Sequence, residues 1–245
     1  MTWLHSSSGF LLCIAFLFSS SVFSNDYDFA SIEFLIEQEV GRHVLPQIYK
    51  NIGIDISIEP LPAPRAQQHA NAGTKAGEIM RIWTYGDENQ NTVRVPTPYY
   101  YLETMPFILK GRRITIEDKS DLSGYELTKV RGVKHTDNIT KGMSRIYEVN
   151  STKRMFTLLS NRRVDIALTN TLDGELMRAR YGFSNIVATG KPLAKLPLYH
   201  YVHKTHAHLV PKVDAEIQRL AKSGELPTMI SDAEKKVIKK VLRSR

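Results

Sequence analysis

The apolar residues of this chain change period again and again, from two to nearly four and back, and that alternation leaves few folds open. Residues 29–36 predict a strand with Ala30, Ile32, Phe34 and Ile36 on one face. Over residues 39–52 the spacing is helical (Val40, Val44, Leu45, Ile48, Ile52), with Pro46 inside the run and Gly53 in place to end it. Ile54, Ile56 and Ile58 alternate as a second strand closed by Pro60; a helix over 64–71 stops at Gly73, and residues 78–83 form a third strand. Strand–helix–strand–helix–strand in so short a stretch implies right-handed crossovers and a parallel sheet. After Asp121 the pattern returns: strand 126–130, helices near 138–147 and 152–161, strand 164–168, helix 172–181, strand 186–188. An extended segment, 99–109, joins the two units, the chain crosses again around 195–203, and two helices follow Leu209. Two connected α/β units with two crossings predict two lobes and a cleft between them.

Residues 1–24 stand outside this pattern. They contain no Lys, Arg, Asp or Glu, and their apolar run, 10–18, is too short to span a bilayer but suits a secretory signal. Val22-Phe23-Ser24 places cleavage after Ser24; a retained N-terminal anchor is the alternative. Leu12 before Cys13 argues against a lipoprotein. Cleavage removes Cys13, the only cysteine, leaving a thiol-free mature chain suited to an oxidising compartment. The formal net charge of +8 is uneven: six cations and two carboxylates fall within residues 232–245. The rest of the chain is mildly basic, so charge alone selects no partner.

Several short strings occur in a telling order. Leu61-Pro62-Ala63-Pro64-Arg65-Ala66 is followed by Ala70-Asn71-Ala72-Gly73 and Gly77-Glu78-Ile79-Met80-Arg81. Asp121-Leu122-Ser123-Gly124, Val130-Arg131-Gly132, the run from Leu158 to Asp165, Pro197-Leu198-Tyr199-His200 and Ser223-Gly224-Glu225 come after them. Across nearly the whole mature chain this set resembles the family 3 periplasmic solute-binding proteins, in particular their stand-alone bacterial subgroup. The resemblance implies a type 2 periplasmic-binding fold, with one lobe from residues 25–109 plus 194–245 and the other from 110–193. It implies capture of a small polar solute by lobe closure, a periplasmic location, and delivery to an ABC-type permease or a sensor protein. Amino-acid binders of the family carry Asp five residues after the position matched by Asp165, to pair with the ligand's ammonium group; Asn170 stands there instead. The segment that holds their carboxylate-binding Arg is shortened, and Arg94 is nearest to its place.

The cleft can also be read from physical rules. Ligands of open α/β sheets bind beyond the carboxyl ends of the strands, at the N-termini of the helices that follow. Arg65 opens a helix after a strand, where its guanidinium and free backbone N–H groups suit an anion. Arg81 lies near a strand end, with Trp83 two residues on and so on the same face, able to stack on a planar acid. Arg131, Gly132 and His135 occupy the corresponding turn of the second unit, and Thr169 with Asn170 the end of a later strand, as neutral hydrogen-bonding groups. Each Arg is alternatively a solvated or ion-paired structural cation, and Trp83 and the Tyr99-Tyr100-Tyr101 run are alternatively core.

Four of the eight histidines, His200, His203, His206 and His208, fall within nine residues. The first two face opposite sides of a strand, so only His206 and His208 could converge on a metal, and a surface turn is the preferred reading. G-x-S-x-G, H-E-x-x-H and G-x-G-x-x-G are missing, and Pro192 after Gly190-Lys191 lacks the hydroxyl of a phosphate loop. The expectation is a monomeric binding protein for a small, anionic solute, without catalysis, cofactor, metal or nucleic acid. A sensory or partner-docking module and a secreted hydrolase with unrecognised carboxylates are the alternatives.

Overall fold

A computed structural model describes residue 1 and residues 26–243. The proposed signal segment, its cleavage site, Cys13, Asn25 and the last two residues lie outside the described residues.

Strand β1 (Tyr27–Ile32) ends four residues earlier than its apolar alternation predicts. The reason is local: Phe34 adopts φ 61°, which turns the chain so that Leu35 and Ile36 bury as the start of a helix. That helix, α1 (Ile36–Asn51), carries Glu37 and Glu39 in its first turn, where carboxylates complement the helix dipole, and continues through Pro46. β2 (Ile56–Leu61) runs parallel to β1, with Phe29 opposite Ile58. α2 (Ala63–Ala72) has Pro64 in its first turn and ends at Gly73, whose φ of 76° supplies the left-handed stop. β3 (Gly77–Arg81), a short α3 (Tyr85–Glu88) and β4 (Thr92–Arg94) complete this half.

β5 (Tyr100–Leu109) then crosses to the second half, which contains β6 (Leu127–Val130), α4 (Lys134–Ile139), β7 (Ile146–Val149), α5 (Thr152–Ser160), β8 (Ile166–Asn170), α6 (Thr171–Tyr181) and β9 (Ile186–Ala188). The helix expected near 138–147 is displaced: α4 is one short element, Gly142 turns with φ 85°, and residues 146–149 instead extend the sheet beside β6. β10 (Ala194–His203) returns, followed by α7 (Val210–Ser223) and α8 (Glu225–Arg243).

Hydrogen bonding links the strands in the order β2-β1-β3-β10-β5-β8-β6-β7, with β4 on β10 and β9 on β5. The helix-linked neighbours β1–β2, β1–β3, β6–β7 and β6–β8 are parallel, as crossovers require, whereas β5 and β10 are antiparallel to each other and to their neighbours. Those two long strands are the double crossing, pairing Leu102 with Leu196 and Tyr100 with Leu198. The first half is cored by Phe29, Val44, Ile48, Ile79, Ile217 and Leu220; a separate cluster of Ile108, Ile116, Leu122, Leu127, Ile166 and Leu168 lies in the second. α8 packs on α1 and α7 and also on α6, so the C-terminal helix touches both halves.

Candidate functional site

The cleft mouth lies where β1, α2 and β6 end or begin together. A cavity of about 320 Å³ there is lined by Glu33, Pro62, Arg65, Arg131 and Asn150 among others. Arg65 and Arg131, placed by the first turn of α2 and the turn after β6, are both exposed. Arg131 Nε donates to Glu148 Oε2 at 3.2 Å. Gly132 has φ 75°, and a Cβ there would sit 3.0 Å from Ala63 Cβ and 3.3 Å from Pro64 Cδ. The close approach that glycine permits is therefore between the two halves of the protein, with β6–α4 seated on the start of α2.

Arg81 lies deeper and does not share that cavity with Arg65. It is 3% exposed, its Nη1 is 3.3 Å from Glu78 Oε1, and its Cζ lies 4.6 Å from the Tyr85 ring centre. Tyr85 donates to the other Glu78 oxygen at 2.6 Å, while burial raises the Glu78 pKa. Arg81 Nε and Nη2 are buried without a hydrogen-bond acceptor in the protein, and the guanidinium lines a space of only about 20 Å³ beside His135, Glu37 and Gln38. That volume holds about one water molecule.

The expected pairing of Arg81 with Trp83 is not what forms. β3 stops at Arg81 and Met80 has φ 51°, so strand alternation does not carry on to Trp83. Trp83 is 54% exposed and stacks instead under Arg94, whose Cζ is 3.0 Å from its ring centre. His135 is buried; loss of hydration, then the charge of Arg81, holds its pKa down to about 3, and its Nδ1 is 2.7 Å from Thr104 Oγ1. Arg81 thus faces a carboxylate, Glu78, and a His135 held neutral by burial, while Arg65 and Arg131 lie at the mouth.

At the end of β8, Thr169 and Asn170 are buried and committed within the protein. Thr169 donates to Asp173 Oδ2 at 2.8 Å. Asn170 caps α6, with Oδ1 accepting from Leu172 N at 2.9 Å, and its Nδ2 donates to Glu37 Oε2 at 3.3 Å across the cleft. Asn170 does not make this end of the cleft carboxylate-free, because Glu37 and Asp173 converge on it. Both are fully buried, and both pKa values are raised, chiefly by burial and for Glu37 also by Asp173. Thr152 at the start of α5 donates a short hydrogen bond to Asp173. Sequence reasoning missed Glu37, Glu78 and Asp173. The available signal was a carboxylate inside or directly after an apolar run, which only a buried partner makes affordable.

Of the remaining aromatic and histidine candidates, Tyr99 and Tyr100 are core and Tyr101 is 56% exposed. His200 is buried, with Nε2 2.9 Å from Tyr49 Oη and Nδ1 3.2 Å from the Glu78 carbonyl. His206 and His208 pack beside Tyr27 on the turn after β10.

Two α/β lobes on curled sheet halves, joined by β5 and β10, define a type 2 periplasmic-binding-protein fold. Solved structures of that class align over most of the chain. A histidine kinase sensor domain with similarity to periplasmic binding proteins superposes with a TM-score of 0.74 at 14% identity, covering 84% of this chain and 94% of that one. The GluR0 ligand-binding core with L-glutamate gives 0.71 at 14% identity (84% and 96% covered). The amino acid ABC transporter substrate-binding protein AbpA of Streptococcus pneumoniae, bound to L-arginine, gives 0.68 at 15% identity (86% and 95% covered). By sequence, an uncharacterised protein of Shewanella oneidensis is 25% identical over 201 residues, 79% of this chain and 74% of that protein. The chain matches no protein-family model.

Proposed function

We propose that this chain is an exported, non-catalytic solute-binding protein whose lobes close on a small polar solute bearing an anionic group. The observation that carries the reading is Arg81: a guanidinium 3% exposed, at the meeting of both lobes, with Nε and Nη2 lacking protein acceptors. Such donors are costly to bury unpaired and suit an acceptor brought by a ligand. Arg65 and Arg131 at the mouth would draw an anion inward, and lobe opening would widen the narrow space around Arg81. In this reading residues 25–109 and 194–245 form one lobe and 110–193 the other, and the closed form is presented in the periplasm to an ABC-type permease or a sensor protein.

Calorimetric titration of the purified chain with mono- and dicarboxylates, amino acids and neutral sugars tests it. Carboxylates should bind, Arg65→Ala should weaken them several-fold, and Arg81→Lys, which loses the planar fork, about tenfold. Arg81→Ala should cost tenfold to a hundredfold per folded molecule. Unlike a free cleft cation, it also strips buried Glu78 of its partner, so stability should fall by about 3–5 kcal/mol. Preference for a neutral sugar, or full carboxylate affinity in Arg81→Lys, would refute the reading.

A further inference from the structure

A second and larger cavity, about 420 Å³, lies away from Arg65, Arg81 and Arg131, between the start of α1, the last turns of α8, the N-terminus of α5 and the C-terminus of α6. Its volume is that of a small-molecule site. Phe34, Leu35, Met177, Tyr181 and Val237 give it an apolar wall. Its charged members are Lys153, Arg180 and Lys240 against a single carboxylate, Glu39, which pairs with both Arg42 at 3.0 Å and Lys240 at 3.8 Å; Lys153 Nζ lies 4.3 Å from the Tyr181 ring centre. An apolar body beside an excess of positive charge is complementary to an amphipathic anion.

Phe34 adds an independent observation. A phenylalanine at φ 61° is strained, and this one is also 61% exposed while lining the cavity. Both costs fall on one residue whose side chain packing alone does not explain. An apolar ligand against the ring would offset the second cost.

We propose that this cavity is a second ligand site, for an organic acid with an aryl or medium-chain alkyl body. The body lies against Phe34, Met177 and Val237, and the carboxylate reaches Lys153, with Arg180 and Lys240 adding to the local positive potential. The walls come from both halves of the molecule, α1 and α8 on one side and α5 and α6 on the other. An occupant therefore binds the arrangement in which they meet and favours lobe closure. This site shares no lining residue with the cavity of Arg65 and Arg131.

Octanoate is a suitable probe, titrated calorimetrically into the purified chain beside acetate and octylamine. Octanoate should give a binding event that acetate, for want of an apolar body, does not; heat that the two acids share belongs to the proposed cleft. Octylamine should bind at least tenfold more weakly because its charge is wrong. Lys153→Glu should weaken the octanoate-specific event about tenfold or more, Lys153→Arg should restore it, and Arg65→Ala should weaken only the heat shared with acetate. Lys153 is exposed, so matching thermal unfolding of the unliganded variants shows that the fold is kept. The proposal is overturned by absence of the octanoate-specific event at millimolar octanoate, by equal binding of octylamine, by full affinity in Lys153→Glu, or by loss of that event in Arg65→Ala. That last result would assign the ligand to the cleft, whereas failure of carboxylates in the cleft would leave this site standing.

Discussion

Glu37 shows how burial turns a common surface residue into a pH-dependent contact. It is 2% exposed and held at about pKa 8, by lost hydration first and by Asp173 second. An unfolded chain releases that proton near pH 4.5, so between these values the folded protein carries one proton more. The stabilisation is complete below the unfolded value and is lost as pH rises toward 8. His135 and His200 act in the opposite sense: burial holds both at about pKa 3, so they favour folding as pH rises toward 6.5 and contribute little beyond it. Above pH 6.5 the raised Glu37 and Asp173 carboxyls are the groups left to titrate, so the wild-type chain should lose stability as pH rises toward 8. Glu37→Gln keeps an acceptor for Asn170 but cannot ionise, and should lose little over that range. Urea midpoints at the two pH values measure this; an equal decline in the variant would assign the effect elsewhere.

Among the elements, α6 is held against β5 by the absence of a side chain. A Cβ on Gly174 would run into the ring of Phe107, which is fully buried with its ring centre 5.3 Å from that of Phe156 at a 54° tilt. Neither ring has space to yield. Gly174→Ala should gain helix propensity of up to about 1 kcal/mol and lose more to overpacking, for a net destabilisation of about 1–2 kcal/mol. Chemical denaturation reads this directly, and a stabilised variant would show that the β5–α6 contact can relax. Similar local crowding is absent at the turn before β7, where the chain leaves α4 through Gly142; that glycine, with φ 85° and open space around it, serves only the turn.

Across the molecule, the contacts between the two lobes include Gly132 on Ala63 and Pro64, Lys134 on Glu88, Asn138 on Thr84, and Asn170 on Glu37. The first has no slack. Gly132→Val adds bulk 3.0 Å from Ala63 Cβ at a φ of 75°, which should hold β6–α4 off α2. Small-angle scattering should give a larger radius of gyration than wild type under the same conditions, and affinity for any solute enclosed by closure should fall about tenfold or more. An unchanged radius with unchanged affinity would mean that closure does not pass through this contact.

The α/β class, the two tandem units, the two crossings and the helical C-terminus are legible in the residues alone, because hydrophobic period, Gly and Pro are local signals. Gly53 and Gly73 stand at the expected helix ends for that reason. Arg65, Arg131 and Gly132 lie at strand-to-helix turns for the same local reason, and the fold brings those turns near one another. Which partner each charged side chain meets depends on packing between distant elements. Arg81 meets Glu78 and Tyr85 because Met80 turns out of the strand geometry, and Trp83 meets Arg94 from another strand. Residues 146–149 read as the end of a helix, yet β6 offers them an open edge to pair with, and a sheet edge is not a local property. Glu37 and Asp173 are 136 positions apart and acquire their shifted protonation only when α1 and α6 point their first turns at each other. Burial and partner, which set a pKa and a role, are created by the fold; in the sequence they show only as a carboxylate beside apolar residues, without the partner.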